Sequence, residues 1–148
     1  MKTTARAVVI GGGVVGVSTL YHLAKMGWSD VVLLDRKDLT SGSTWHAAGL
    51  LPLFNLSYSV GKLHQYSVAL YPSLEPETGL HAGMSQVTNI RLATTKDRMD
   101  EYHYYAGVAR TIGVDVNFLT PDQVKDIWPL ANMAVSYTHL TLPTILRV

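Results

Sequence analysis

Three glycines near the N-terminus have the spacing of a phosphate-binding turn. Gly11, Gly13 and Gly16 form G-x-G-x-x-G directly after a short β-branched run and at the start of a helical pattern. In such a turn the first glycine permits a tight bend, the second lets the backbone approach a pyrophosphate, and the third lets the helix pack closely on the strand. The amides of Val14 and Val15 would lie at the positive end of the helix dipole. The motif therefore predicts a dinucleotide site.

An acidic residue stands where the ribose of a dinucleotide would need one. Asp35 follows Gly16 by 19 residues and ends a second buried run, so its carboxylate can accept hydrogen bonds from a ribose diol. The same charge would repel a 2′-phosphate, which disfavours a phosphorylated nicotinamide cofactor. The alternative interpretation is a turn that only packs a helix on a sheet, with Asp35 as a solvated acid. Because turn, strand, helix and acid agree in spacing, the dinucleotide site is favoured.

A single histidine follows this unit in the stretch SGSTWHAAGLL, from Ser41 to Leu51. Its neighbours are small, which would leave room for a bound ring system against the backbone. Taken alone, however, His46 is more often an ordinary, partly buried histidine. The glycine motif does not separate FAD from NAD either, so the residues themselves leave both the cofactor and the role of His46 open.

The composition favours a small-molecule partner. Twelve Lys and Arg against eleven Asp and Glu give a net charge of +1, so no excess of charge points to nucleic acid or to an anionic membrane. The absence of cysteine excludes disulfides, thiolate metal sites and thiol catalysis. Glycines interrupt the apolar run from Ala7 to Leu20, which is shorter than the ~20 residues that cross a bilayer. We expect no metal, nucleic-acid or membrane partner.

The elements that would position the motif form a βαβ unit. The run from Ala5 to Ile10 does not alternate, as expected of a parallel strand covered on both faces, and a helical pattern follows from Val14 to Gly27. A second buried strand spans Val31 to Asp35. Strand, glycine turn, helix and strand within about 30 residues predict a right-handed crossover and an α/β fold with a parallel sheet.

The later half mixes strands and helices without repeating this spacing, which predicts an α+β substructure from about residue 85. Pro72 should end the first later helix, because the residue before a proline avoids the α region. The predicted elements are a helix from about Val60 to Leu70, a strand from Thr88 to Thr94, a helix from Lys96 to Ile112 and a short helix that ends before Pro129. This last helix is capped by Thr120, begins with Pro121 and has Gln123 in the position that completes a capping box.

The C-terminal stretch SYTHLTLPTILRV, from Ser136 to Val148, stands apart from the rest of the sequence. Its alternating Thr and Leu with one proline would suit an edge strand. The run SYTHLTLPT, however, resembles a translated sequencing adaptor. We therefore expect residues 135–148 to be non-native and exclude them from reasoning about the fold.

From Val31 onward the chain resembles the dimethylglycine and sarcosine dehydrogenase family, flavoproteins of the D-amino-acid oxidase superfamily. The resemblance spans roughly residues 5 to 133, and its most specific element is GSTWHAAG. The stretches that support it are GGGVVGVSTLYHLAKMG, LTSGSTWHAAG, IRLATT and WPLANM.

The resemblance implies FAD and the residues that hold it. In the family, the histidine of this element is joined covalently to the 8α carbon of the flavin, and that role falls on His46. A neutral imidazole nitrogen suits attack on this electrophilic carbon. The cofactor-binding residues expected in this way are Gly11, Gly13, Val14, Val15, Gly16, Asp35, Arg36, Gly42, Ser43, Thr44, Trp45, His46, Ala47, Ala48, Gly49 and Leu50.

The implied activity is oxidation of a small N-methyl amine such as dimethylglycine or sarcosine. In the family that the chain resembles, hydride leaves the methyl carbon for flavin N5, and the iminium is hydrolysed or passes its carbon to tetrahydrofolate. The catalytic residues and the electron acceptor are not identified, and Arg91 could bind a substrate carboxylate or be a solvated strand residue. The alternatives are a noncovalent flavin amino-acid oxidase and an inactive nucleotide-binding fragment.

The resemblance also implies an N-terminal fragment, because the family's substrate pocket lies beyond this chain. We expect residues 1–84 to form a Rossmann-type FAD-binding unit and residues 85–134 to begin an α+β substrate domain. The chain departs from the family where Asp35 replaces a usual Glu and where Pro72 and Pro76 replace helix formers. The expected location is the cytoplasm, or the mitochondrial matrix in a eukaryote.

Overall fold

The computed structural model of the protein describes residues 3–53, 55–133 and 138–146, and for the last range only the course of the backbone. The chain divides between Ala48 and Gly49 into two compact units, here called the first unit and the second unit. The domain boundaries expected near residues 85 and 135 remain predictions. Among the helices of the described ranges, none is both long and apolar enough to cross a membrane.

The first unit is a βαβ unit, as the glycine motif predicts. Strand β1 (Ala7–Ile10) is followed by helix α1 (Val14–Lys25) and strand β2 (Val31–Leu34). The two strands are parallel, with Ala7 paired to Val31 at one end of the register. Both strands are slightly shorter than predicted, and Asp35 lies just beyond β2. The fold is therefore of the α/β, Rossmann type.

The two faces of this small sheet differ in exposure, contrary to the expectation that both are covered. Ala7 and Val9 are half-buried, whereas Val8 and Ile10, on the opposite face, are 51% and 86% exposed. Leu34 of β2 is also exposed, at 54%. Alternating strand residues point to opposite faces. Within the first unit, the face of β1 that carries Val8 and Ile10 therefore remains largely exposed.

The second unit contains three helices and three strands in its described residues, which gives the α+β character that the later half predicts. β5 lies between β3 and β4 and runs antiparallel to both. The elements are α2 (Tyr58–Thr78), β3 (Ser85–Ala93), α3 (Lys96–Ile112), β4 (Asn117–Leu119), α4 (Pro121–Ile127) and β5 (Thr138–Leu146). The edge strand that the pattern of the tail would suit is therefore not what forms, because β5 has a partner strand on each side.

Helix α2 is longer than the sequence predicts. It was expected to end at about Leu70, but it continues through Pro72 and Pro76 to Thr78. A proline in a helix lacks the N–H that would bond to the carbonyl four residues earlier. Both prolines are exposed, so water can hydrate the carbonyls that they leave without a donor. The helix ends where Gly79 adopts the left-handed conformation, with φ of 72°.

The ends of α3 and α4 are set by local side chains, and here the predictions are confirmed. The Thr95 hydroxyl accepts a hydrogen bond from the Arg98 amide at the start of α3, and Gly113 ends that helix with φ of 84°. At the start of α4, Thr120 accepts a bond from the Gln123 amide, and the Gln123 side chain accepts one from the Thr120 amide. This reciprocal pair is the predicted capping box.

The core of the second unit lies around α3. One buried cluster contains Ala93, Tyr102, Ala109, Ile112 and Val114, and a smaller one contains Val124, Ala131 and Met133. Helix α2 contacts the first cluster at Gly61. A Cβ there would lie 2.6 Å from the Cδ1 atom of Ile112, so only glycine permits this approach.

Candidate functional site

The geometry of the glycine turn explains why glycines stand there. Gly11 has φ of 108°, a conformation that L side chains rarely adopt. A Cβ on Gly16 would lie 1.8 Å from the Gly11 carbonyl oxygen, so α1 can pack this closely on the turn only without a side chain. A Cβ on Gly13 would lie 3.0 Å from the Thr44 hydroxyl oxygen. The turn thus has the shape that the motif predicts, while phosphate binding itself remains a prediction.

Gly12 is a constrained residue that the motif does not reveal. It is buried, its amide donates to the Asp35 carboxylate over 2.5 Å, and its carbonyl accepts from the Thr40 amide over 2.9 Å. A Cβ at this position would lie 2.4 Å from the Cδ2 atom of Leu39. The run of three consecutive glycines was the available signal, because the motif itself leaves this position unspecified.

The Asp35 carboxylate is held by backbone amides. One oxygen accepts from Gly12, and the other accepts from the Lys37 amide over 2.8 Å. These hydrogen bonds, that of Gly12 first, hold the pKa of the Asp35 carboxyl below its ordinary value. The group is therefore ionised at neutral pH. Each carboxylate oxygen can accept more than one hydrogen bond, so the acid retains capacity for a ribose hydroxyl.

The segment after Asp35, residues 36–48, is here called the histidine loop. It folds back in successive turns, in which the amides of Trp45 and His46 donate to the carbonyls of Thr40 and Ser43. Thr40 has φ of 66°, the one positive value among non-glycine residues of the described chain. The Thr44 hydroxyl then reaches α1, where it accepts from the Val14 amide over 2.9 Å. The loop is thereby attached to the glycine turn.

Between the glycine turn and the histidine loop lies a cleft of about 760 Å³, within the range of ~300–1,000 Å³ typical of ligand sites. All of its lining belongs to the first unit. Eleven of the predicted cofactor residues line it: Gly11, Gly13, Val14, Val15, Gly16, Asp35, Arg36, Gly42, Ser43, Thr44 and Ala47.

Five predicted residues do not line this cleft. Trp45, His46 and Ala48 are exposed residues of the histidine loop, and Gly49 and Leu50 belong to the second unit. The imidazole of His46 is thus open to solvent. The cleft also contains residues that the sequence did not single out, namely Val9, Ile10, Thr19, Lys37, Thr40 and Ser41. Val9, Ile10, Lys37, Thr40 and Ser41 lie next to predicted residues in the sequence or one residue removed from them, so adjacency was the available signal, whereas the motif spacing does not include Thr19.

Arg91, the other candidate, lies half-buried on β3 in the second unit. Glu101, on α3, accepts from the Tyr105 hydroxyl and pairs with Arg98, and both contacts lower the Glu101 pKa, the hydrogen bond most. The same hydrogen bond to Glu101 raises the pKa of Tyr105. The charge of Arg91 contributes only a lesser part of the lowering at Glu101, and it opposes the rise of the Tyr105 pKa. Across the described ranges, no group of three His, Asp or Glu side chains could hold a metal ion.

Comparison with known proteins gives concordant matches. The sequence pattern of one family, described as FAD dependent oxidoreductase (DAO), matches residues 6–142. The chain is 46% identical over 132 residues to dimethylglycine dehydrogenase, mitochondrial, of Rattus norvegicus, covering 89% of this chain and 15% of that protein. It is 42% identical over 144 residues to sarcosine dehydrogenase, mitochondrial, of Homo sapiens, covering 97% of this chain and 16% of that protein.

Among solved structures, L-proline dehydrogenase from P. horikoshii superimposes with a TM-score of 0.89 at 24% sequence identity. The match covers 100% of this chain and 39% of that one. At this level of identity the likeness concerns the fold alone. The chain therefore has the fold of an FAD-dependent oxidoreductase but spans only 15% and 16% of the two curated relatives.

Proposed function

Because this chain belongs to the FAD dependent oxidoreductase family, we propose that the full-length protein uses FAD to oxidise a small N-methylated amino acid. The names of its relatives, dimethylglycine dehydrogenase and sarcosine dehydrogenase, support this class of substrate. The observation that carries the proposal is the cleft of the first unit, where a glycine turn faces an ionised acid.

The cleft fits the adenosine diphosphate half of FAD. The Val14 amide at the start of α1 donates to the Thr44 hydroxyl, whereas the next amides, of Val15 and Gly16, have no carbonyl partner within their own helix, which suits them to phosphate oxygens. Asp35 lies just beyond the end of β2, and its carboxylate is ionised. It can therefore accept hydrogen bonds from a ribose diol. A side chain on Gly16 would collide with Gly11, so the close approach of the helix to the turn requires glycine at this position.

When bound, FAD supplies the acceptor for a hydride from the N-methyl carbon, and the iminium left behind gives formaldehyde and the demethylated amine on hydrolysis. Transfer of that carbon to tetrahydrofolate is the other outcome within this proposal. The residues of the first unit bind and orient the cofactor, whereas the substrate is held by residues that this chain does not identify. For a eukaryotic source we propose the mitochondrial matrix, and the word mitochondrial in the relatives' names supports the organelle; for any other source we propose the cytoplasm.

We further propose that His46 holds the flavin through a covalent bond to its 8α carbon. Its imidazole is exposed and is followed by Ala47 and Ala48, which leave room for a ring system. His46 follows Asp35 by 11 residues, a length of chain that spans at most ~35 Å and is sufficient to reach from the ribose towards the flavin end of an extended dinucleotide.

The test is anaerobic reduction of the purified full-length protein. We expect a yellow protein whose flavin absorbance is bleached by sarcosine or dimethylglycine but not by glycine. Bleaching by glycine alone would favour an amino-acid oxidase, and bleaching by no amine would favour a nucleotide-binding protein without enzymatic activity. Retention of NAD with no flavin absorbance would refute the cofactor.

The tether is tested separately by denaturation. Acid-precipitated protein should stay yellow, and a tryptic peptide containing His46 should carry the mass of the flavin. The His46→Ala protein should bind FAD reversibly and turn over more slowly. Release of all flavin from the parental protein on denaturation would leave FAD as a noncovalent cofactor.

A further inference from the structure

The helix that faces the cleft has no cap of its own. Its N-cap residue is Gly13, which has no side chain to accept a hydrogen bond, and its first turn contains no acidic residue. The first amides of a helix need partners from outside the helix. Here the partner of the Val14 amide is the hydroxyl of Thr44, 30 residues further along the chain. The cap of α1 is thus a long-range contact.

The same contact depends on the glycine turn. The position of a Cβ on Gly13 is 3.0 Å from the Thr44 hydroxyl oxygen, which is tighter than an ordinary van der Waals contact. Thr44 is half-buried, whereas its neighbours Ser43 and Trp45 are exposed. Thr44 is therefore the point at which this part of the histidine loop meets the phosphate-binding end of α1.

The position of His46 depends on the turn that contains Thr44. The His46 amide donates to the Ser43 carbonyl over 3.2 Å, and the Ala47 amide donates to the Thr44 carbonyl over 3.3 Å. His46 is only two residues beyond Thr44, so their Cα atoms lie at most ~7.6 Å apart. A displacement of Thr44 from α1 would therefore displace the imidazole as well.

We propose that Thr44 is a positioning residue for the flavin tether. Its hydroxyl fixes the His46 turn to the phosphate-binding end of α1 and so sets the reach of the imidazole relative to the cofactor's pyrophosphate. This inference rests on the proposed bond between His46 and FAD. A threonine hydroxyl can accept from Val14 and still donate its own hydrogen, and a phosphate oxygen in the same cleft is a suitable acceptor.

Formation of the bond between His46 and the flavin is an oxidation, and dioxygen is the oxidant. A bond forms between an imidazole nitrogen of His46 and the 8α carbon, while the N–H and a C–H bond break and release two protons. Of the four electrons in the two broken bonds, two form the new bond between nitrogen and carbon and two pass into the flavin. Dioxygen then takes up these two electrons and two protons as hydrogen peroxide. Thr44 takes no part in this electron transfer and acts only by holding the imidazole in place.

The experiment compares the rate of tethering in the full-length protein and its Thr44→Val, Thr44→Ser and Thr111→Val variants. Apoprotein made without riboflavin is mixed with saturating FAD in air, and samples are acid-precipitated over time to measure retained flavin and the mass of the His46 peptide. Reversible FAD affinity is measured in a His46→Ala background, so that saturation is assured for each variant. Thr111, whose exposed hydroxyl donates to the Val108 carbonyl within α3, is the control for loss of a threonine hydroxyl.

We expect Thr44→Val to slow tethering by about tenfold or more at saturating FAD, because small misplacements of a reacting group carry large rate costs. Thr44→Ser should remain within about threefold of the parental rate, since it retains the hydroxyl. Thr111→Val should match the parental protein. If the valine variant fails to fold, Thr44→Ala takes its place with the same expectation.

A valine or alanine variant that tethers flavin at the parental rate would overturn the proposal, even if its FAD affinity fell. Equal slowing by serine and valine would also overturn it, because the hydroxyl would then be irrelevant. A parental protein that releases all its flavin on denaturation refutes the tether and this inference together. In that case the reversible FAD affinity of the parental protein decides the cofactor, because tight binding of FAD would still support the proposed function.

Discussion

At the scale of single residues, Gly16 is the most tightly constrained position of the glycine turn. Because a Cβ there would lie 1.8 Å from a backbone oxygen, Gly16→Ala requires the backbone to move, and we expect a loss of about 1–3 kcal/mol in the free energy of unfolding. Denaturant titration of the full-length protein measures it. The control is Gly107→Ala on α3, where a Cβ meets nothing within 4 Å.

Gly12→Ala should cost less than Gly16→Ala, since its nearest obstacle is the end of the exposed Leu39 side chain, which can move. A Gly16→Ala protein as stable as the Gly107→Ala control would contradict the geometry of the turn.

The Asp35 carboxylate makes a second prediction at this scale. Its pKa is lowered in the folded protein, so its stabilising contribution is present above the pKa of the unfolded chain, ~3.9, and is lost as the pH falls through the folded pKa. We expect Asp35→Asn to be less stable than the parental protein at pH 7, and this difference should shrink in acid. Urea titrations of both proteins across the acid range measure it, and a difference independent of pH would contradict the prediction.

The sequence predicted some residue roles and not others. The glycines of the motif and Asp35 stand at fixed spacings within one supersecondary unit, so a pattern along the chain indicates them. The bond between Val14 and Thr44 joins residues 30 apart through the tertiary fold, and no spacing rule encodes it. Gly12 was missed for a related reason, because its constraint comes from Leu39 and Asp35 rather than from its neighbours.

At the scale of elements, α2 shows where a local rule failed. Pro72 was expected to end the helix, yet it lies inside a helix of 21 residues. A proline within a helix costs ~3 kcal/mol through its missing hydrogen bond and the clash of its ring. We expect Pro72→Ala to raise the free energy of unfolding, by up to about 3 kcal/mol, because it restores the N–H.

The matched control is Pro121→Ala, at the first position of α4, where a proline has no intrahelical bond to lose. That change should be neutral or slightly destabilising. Thermal unfolding of the two variants tests the contrast. A Pro72→Ala protein no more stable than the Pro121→Ala protein would indicate that α2 is already adapted to its prolines.

The remaining elements divide by how local their determinants are. α3 and α4 were predicted because their ends depend on contacts within a few residues. Gly113 ends α3, and the capping box of Thr120 and Gln123 starts α4. β4 was not predicted, because its three residues, Asn117–Leu119, are too few to show the alternation of a strand. The strand is recognised only by its pairing with β5. Short strands are defined by their partners, which a sequence pattern does not display.

At the scale of the whole molecule, the middle strand of the second sheet coincides with the suspected adaptor. β5 (Thr138–Leu146) pairs with β3 and β4, although its sequence overlaps SYTHLTLPT. The expectation that residues 135–148 are foreign therefore implies that the native sequence supplies its own middle strand at this place. Resequencing the source DNA through codon 134 should reveal a different continuation, and clean reads that retain SYTHLTLPT would refute this.

The uncovered face of the first sheet leads to the last prediction. Parallel sheets are almost always covered on both faces, yet Val8 and Ile10 are exposed beside the half-buried Val9. Because the chain spans only 15% of its dimethylglycine dehydrogenase relative, we expect other parts of the full-length protein to cover this face.

Val8→Asn should then lower the free energy of unfolding of the full-length protein by about 2 kcal/mol or more, since it buries an unpaired amide. Met26→Asn, at the exposed end of α1, should change it by no more than about 0.5 kcal/mol. Denaturant titration of both variants measures the difference. If the two variants were equally stable, the face would be open to solvent in the whole protein, and its apolar residues would require a different explanation, such as a partner chain.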